Sequence, residues 1–248
     1  MLSDKAWSKK YRERHIRTRW ALAAAIVDHY AVKMYLAISG VSLLAFAAIG
    51  GNVFALPVAI LLTLSFYPLV EYVLHRFVLH SKLLYKNAIT APIWRRLHYD
   101  HHMDPNNLTV LFASPLTSVP LLVVLAAVPG SVLNLEGLFP AMLATNFLMF
   151  TYYEFMHASA HLKLGFQSNW IASHKQSHLR HHFVCESQNY GIGTHVMDRI
   201  AGTADTSTHH SSTVRNLGYD DDVAEVYPWV RDGYARDHGS AQGGSGHR

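Results

Sequence analysis

The chain is poor in charge and nearly devoid of cysteine. Asp, Glu, Lys and Arg make up 15% of its 248 residues, against about 25% in an ordinary soluble domain. That shortage excludes a disordered polyelectrolyte and a nucleic-acid binder built on a charge run, so no nucleic-acid partner is expected. The single cysteine, Cys185, excludes an internal disulfide framework and any cysteine-rich zinc module. Acidic residues are few as well: 17 Asp and Glu against 18 His, with a formal net charge of +4. Histidine is the excess that needs explaining.

The missing charge is concentrated in long gaps. None of the four charged residue types occurs from Met34 to Val70, from Pro105 to Leu135, or from Gly137 to Tyr153. Gly50-Gly51-Asn52 and Pro129-Gly130-Ser131 interrupt the first two gaps with turn chemistry. A spanning helix needs about 20 apolar residues. The reading is an all-α membrane protein with four transmembrane helices in two hairpins, 32–50 with 53–74 and 109–128 with 135–156. A soluble bundle of buried hairpins is the competing reading, and two hairpins uncharged over nearly their whole length weigh against it.

Lys and Arg set the expected orientation. Lys5, Lys9, Lys10, Arg12, Arg14, Arg17 and Arg19 precede the first span, and Arg76, Lys82, Lys86, Arg95 and Arg96 lie between the hairpins. The two tight turns hold neither residue type. Both termini and the middle segment are therefore expected in the cytoplasm, in a multi-pass integral membrane protein. Trp20–Val32, carrying Asp28 and His29, reads as an interfacial helix. A long basic start ahead of any apolar stretch is not the pattern of a cleavable signal peptide, and none is expected. The expected division is 1–33 as a basic cytoplasmic or interfacial segment, 34–203 as the membrane domain, and 204–248 as a cytoplasmic tail. That tail is low in complexity and disordered after Asp237.

Ten histidines fall in four clusters: HRFVLH (His75, His80), HYDHH (His98, His101, His102), HASAH (His157, His161) and HLRHH (His178, His181, His182). All four sit on the expected cytoplasmic side, so a helical cap there would hold them. Positions i, i+3 and i+4 share a helical face, so each triplet is expected to aim three imidazoles at one centre. His75 and His80 are about 140° apart on a regular helix and need a local distortion, or a helix end, to converge. Pro68 is a candidate source of bending in that helix. Ten cationic rings would repel one another, whereas bound cations keep them neutral and donating. Ten ligands exceed one structural zinc site and suggest two metals with about five each. Imidazole alone does not choose among zinc, copper, iron and nickel.

Ligating histidines usually need an acceptor for the second ring nitrogen. Glu71 lies four residues before His75, Glu154 three before His157, and Asp100 within the first triplet. These acids are candidate acceptors, with helix-end polarity as the alternative. His174, one turn before His178, and His195, after a Gly-x-Gly loop, are candidates for lining the site. His15, His29, His209, His210, His238 and His247 read as ordinary solvated residues.

The order of the four clusters resembles the fatty acid hydroxylase superfamily, also called the sterol desaturase family, from about Glu71 to Thr203. The stretches EYVLHRFVLH and HHMDPNNLTVLFASPLTSVP are similar to fatty acid and ceramide 2-hydroxylases. NYGIGTHVMDRIAGT, which holds Asn189 and Asp198, resembles the closing motif. There a Trp usually precedes the Asp, and Met197 stands in its place here, a departure that bears on substrate class. The resemblance implies two iron ions on the ten clustered histidines, with zinc able to replace iron in purified protein. It also implies dioxygen as co-substrate and a membrane lipid as substrate. Residues 1–33 are too few for the fused haem domain found in some relatives, so a separate electron donor is expected. The implied activity is acyl-chain hydroxylation. Sterol or carotenoid oxidation or desaturation is the alternative on the same scaffold. A metal transporter is the alternative from another class, and it would need ligands at the midplane and on both sides. Oligomeric state has no signature here.

Overall fold

The computed structural model describes residues 16–217 apart from 82, 85, 86, 88, 106–109, 163, 165–167, 207–209, 215 and 216. Most of the basic N-terminal run and the Gly- and Ser-rich tail lie outside the described residues. Within them the regular structure is all helical.

Helix α1 (Arg19–Asp28) starts where the Thr18 hydroxyl accepts from the Ala21 N–H at 3.1 Å, satisfying one of the free donors of a first turn. The chain bends at His29 and continues as α2 (Tyr30–Ala48). The α3 helix (Ala55–Val73) runs through Pro68 and ends in a π-helical turn, Leu74–Leu79. Two short pieces, α4 (Ala91–Trp94) and α5 (Asp100–Met103), flank a second π turn, Arg95–Tyr99. Then follow α6 (Pro115–Val132), α7 (Leu138–His161), α8 (Asn169–Phe183) and α9 (Val196–Ala201).

The expected break at Pro129-Gly130-Ser131 is not where the chain turns. The helix passes through it to Val132, and the turn falls just before Leu138. Gly130 serves a close approach instead: a Cβ there would stand 2.9 Å from the Cβ of Phe139. The third apolar helix also begins at Pro115 rather than near 109, with proline at its first position.

Among the described residues, three helices are long and apolar enough to cross a membrane: Tyr30–Ala48, Ala55–Leu79 and Pro115–Val132. Their outward faces carry exposed Leu44, Leu61, Leu64 and Val124. The α7 helix is different. It packs against α2, α3, α6 and α8 and is the axis of the molecule. Its 24 residues extend about 36 Å. Polar side chains tie it to its neighbours. Thr63 donates to Asn146 Oδ1 at 2.9 Å and meets Thr145 at 2.8 Å, and Ser39 donates to the Ala144 carbonyl at 3.1 Å. Such bonds, with small residues such as Ala55, Ala59, Ala126 and Ala141 buried between helices, suit association where burial from water cannot drive it. The turns after α2 and α6 touch through the Asn52 N–H and the Glu136 carbonyl at 3.0 Å. The other ends of α3 and α7 carry the histidines.

Candidate metal centre

The structure gathers the ten clustered histidines into two groups of five. His75, His80, His98, His102 and His181 form one; His101, His157, His161, His178 and His182 form the other. In each, one nitrogen per ring lies within 4.8 Å of all the others. Ligands on opposite sides of one ion at about 2.1 Å would be about 4.2 Å apart.

The π turn brings His75 and His80 together. The His80 N–H bonds to the His75 carbonyl at 3.1 Å, five residues back, and the wider turn sets residue i+5 over residue i. The two ring centroids are 5.0 Å apart.

Neither triplet aims at one centre, contrary to the expectation from spacing. His98 and His102 join the first group and His101 the second; His178 and His182 join the second and His181 the first. On a helix i+4 lies about 40° to one side of i, and i+3 about 60° to the other. With two centres side by side, the i+3 ring faces the neighbour. Each group thus takes two spaced pairs plus one ring lent by the other triplet. The groups adjoin, with the His102 and His182 centroids 4.2 Å apart.

The donor chemistry fits cations. His80 Nε2 and His98 Nε2 approach to 2.7 Å, His161 and His178 to 2.9 Å, and His101 and His157 to 3.0 Å, nitrogen to nitrogen. The Nε2 atoms of His75, His102 and His181 are buried with no hydrogen-bond partner. Burial, reinforced by neighbouring imidazoles, pushes His98, His102, His178, His181 and His182 well below the usual histidine range and His101 down to about 3. Neutral rings with unused lone pairs aimed at a common point suit a bound metal ion.

Where a second ring nitrogen finds a protein partner, in His75, His102 and His181, that partner is backbone rather than one of the acids singled out in the sequence. His75 Nδ1 meets the Tyr190 carbonyl at 2.5 Å, His181 Nδ1 the Gln188 carbonyl at 2.7 Å, and His102 Nδ1 the Val214 carbonyl at 3.2 Å. Glu71 does not bond to His75; its Oε1 accepts from the Ile192 and Gly193 N–H groups at 2.5 and 2.8 Å. Glu154 does not bond to His157; it accepts from the Ala113 N–H at 3.0 Å. Asp100 pairs with Arg95 at 2.9 Å. Asp198 accepts from Tyr190 N–H, Gly191 N–H and the Thr203 hydroxyl at 2.9, 2.7 and 2.7 Å. Asn189 clasps the Asp205 backbone through both ends of its amide. Glu71, Asn189 and Asp198 therefore act one step removed: they hold the 188–193 loop that presents the carbonyls.

His174 and His195 belong to neither group. Their rings stack on each other at 3.7 Å, with His174 bonded to the Trp170 carbonyl. Burial lowers both, His195 to about 4. The buried His29 stacks on Phe112 at 4.0 Å, so it is not the solvated residue expected. His15, His209, His238 and His247 lie outside the described residues.

A cavity of about 230 Å³ reaches both groups, with His75 and His98 of the first and His157, His178 and His182 of the second in its wall. The rest is mainly apolar, including Val70, Leu97, Leu121, Leu122, Leu125 and Phe150.

The model of the family described as fatty acid hydroxylase matches residues 59–203. This chain belongs to the fatty acid hydroxylase family. Among curated relatives it is 32% identical over 142 residues to the dihydroceramide fatty acyl 2-hydroxylase FAH2 of Arabidopsis thaliana, covering 54% of this chain and 55% of that protein. It is 24% identical over 145 residues to the Homo sapiens fatty acid 2-hydroxylase, covering 58% and 39%. The chain thus spans about half or less of the length of these relatives. A solved structure described as full-length scs7p, with only the hydroxylase domain visible, shares the fold at a TM-score of 0.59. It is 22% identical, covering 79% of this chain and 70% of that one.

Proposed function

We propose that this chain is a membrane enzyme that hydroxylates an unactivated C–H bond of a lipid acyl chain, with two iron ions on its ten clustered histidines. The observation that carries this reading is the cavity. Its walls are mainly hydrocarbon, and imidazoles from both groups stand in them. An acyl chain fits such walls, and its C–H bonds would lie against the metal positions. The relatives named as 2-hydroxylases of fatty acids and fatty acyl chains support the same substrate class.

Iron bound by the two groups would supply dioxygen activation, with electrons drawn from a separate redox protein. The chain's own residues supply the setting. Leu97, Leu121, Leu122 and Leu125 exclude water and hold the hydrocarbon. Asp198, Asn189 and Glu71 fix the loop that orients His75 and His181.

In this reading α2, α3, α6 and α7 are four crossings. Residues 34–203 form the hydroxylase domain, 1–33 a basic cytoplasmic or interfacial segment and 204–248 a cytoplasmic tail. The contact between the two interhelical turns, which lack Lys and Arg, supports placing them together on the far side. The histidine end, flanked by Arg76, Arg95 and Arg96, then faces the cytoplasm.

The test uses the chain in liposomes, loaded with iron and given a reductant, isotopically labelled dioxygen and a panel of acyl lipids. The expected product carries one labelled oxygen on the acyl chain. Loss of two hydrogens without oxygen would assign desaturation instead. Absence of any product from fully loaded protein would overturn the proposal.

A further inference from the structure

The two histidine groups are built alike but not held alike. In the first, His75, His102 and His181 each place Nδ1 on a backbone carbonyl, of Tyr190, Val214 and Gln188. In the second, the Nδ1 atoms of His101, His157, His178 and His182 are buried and meet no protein acceptor.

That difference has a mechanical basis. The carbonyls of Gln188 and Tyr190 sit on a loop clamped from three directions. Asp198 takes the Tyr190 and Gly191 N–H groups, Asn189 brackets the Asp205 backbone, and Glu71 takes the Ile192 and Gly193 N–H groups. A carbonyl that accepts Nδ1–H fixes the tautomer, leaves the lone pair on Nε2, and sets the plane of the ring before an ion arrives. It also raises the basicity of the ligand. The rings of the second group have their backbones fixed by α5, α7 and α8, but in His101, His157, His178 and His182 no bond from Nδ1 to the protein sets the tautomer or the plane.

We propose that the two positions are unequal in how firmly they hold metal: the His75, His80, His98, His102, His181 group retains its ion, and the His101, His157, His161, His178, His182 group exchanges its ion readily. The inference rests on the reading that both groups bind metal. Losing a partner to the outer ring nitrogen typically weakens a metal site by about 10–100-fold, so the two positions should differ by at least about tenfold. The exchangeable position is then the one filled last during assembly and emptied first under chelation. It is also the one to which three of the cavity's five histidines belong.

The experiment loads the full chain in detergent with zinc alone, mixes it with excess chromophoric chelator, and follows release by absorbance. The expected record has two phases of one ion per chain each, separated at least about tenfold in rate. His157→Ala should hold one ion and lack the fast phase. Asp198→Asn should leave the fast phase in place and speed the slow one by about 10–100-fold. Should either variant not fold, the wild-type record still decides. Two ions leaving in one phase overturns the inference and leaves the two-metal reading standing. Loss of the slow phase in His157→Ala overturns the assignment of the firm position. A chain that takes up no zinc defeats the two-metal reading itself.

Discussion

Gly191→Ala should weaken metal binding without touching a histidine. A Cβ at this residue would stand 2.0 Å from the Thr194 carbonyl oxygen and 2.8 Å from Asp198 Oδ2. Ordinary carbon–oxygen contacts begin near about 3.3 Å, so the loop must open by roughly 1 Å. Both obstacles belong to the frame that positions residues 188–193 and cannot step aside alone. Opening of that size carries the Tyr190 carbonyl, now 2.5 Å from His75 Nδ1, beyond the about 3.2 Å limit of a useful hydrogen bond. The expected loss is about 10–100-fold in affinity at the first group, or about 1.4–2.7 kcal/mol at about 1.36 kcal/mol per decade. Overpacking adds about 1–3 kcal/mol of destabilisation. Competition with a chromophoric chelator measures the first quantity, and thermal unfolding with and without metal the second. Gly40→Ala, where a Cβ would meet nothing within 4 Å, is the control and should bind metal like wild type. Equal affinities for Gly191→Ala and Gly40→Ala would refute the reasoning that the loop orients the ligands.

The π turn makes a paired prediction. Deletion of Phe77 sets the two flanking histidines four apart, the spacing of His157 and His161, and should preserve two ions per chain; adding one residue there should lose the first group's ion. Metal analysis reads both, and the opposite pattern would contradict the role of the turn. Acid should destabilise the metal-free chain. Folded His98, His101, His102, His178, His181 and His182 resist protonation, while the unfolded chain takes protons near pH ~6.5. Stability therefore falls as pH drops through ~6.5, by about 1.4 kcal/mol per pH unit for each such ring, and for His101 the loss continues to about pH 3. Melting temperatures of metal-free protein that are equal at pH ~7.5 and ~5 would contradict this. Leu121→Trp narrows the cavity from a wall remote in sequence from every ligand; it should abolish acyl-lipid turnover while leaving the ions per chain unchanged. Undiminished turnover would show that the chain does not enter this cavity.

The charge-free runs were the most legible feature, because a helix that buries nothing against water can dispense with charge only in an apolar setting. Helices Tyr30–Ala48 and Ala55–Val73 lie within about two residues of the expected bounds. Gly130 misled, since glycine gives the same signal for a turn and for a close helix crossing, and only the approach of Phe139 separates them. The four histidine clusters were visible from composition and spacing, and the structure does bring all ten together. Their division was not visible. A spacing rule describes one helix and one centre, whereas the splitting of each triplet depends on a second centre beside the first. The need for distortion between His75 and His80 was readable, but not the π turn that meets it. The acids were the weakest reading. Proximity in sequence placed Glu71 beside His75, yet its carboxylate serves loop amides. The acceptors used are carbonyls of Gln188, Tyr190 and Val214, and every residue carries a carbonyl, so side-chain patterns cannot mark them. The one signal was indirect: the closing motif with Asn189, Gly191 and Asp198 holds the clamp on that loop.

The most direct measurement is the number of metal ions held by each purified wild-type chain after loading and removal of free metal. Two per chain is the result expected from two groups of five imidazoles. None, or a single ion shared by all ten rings, would contradict the account at its root.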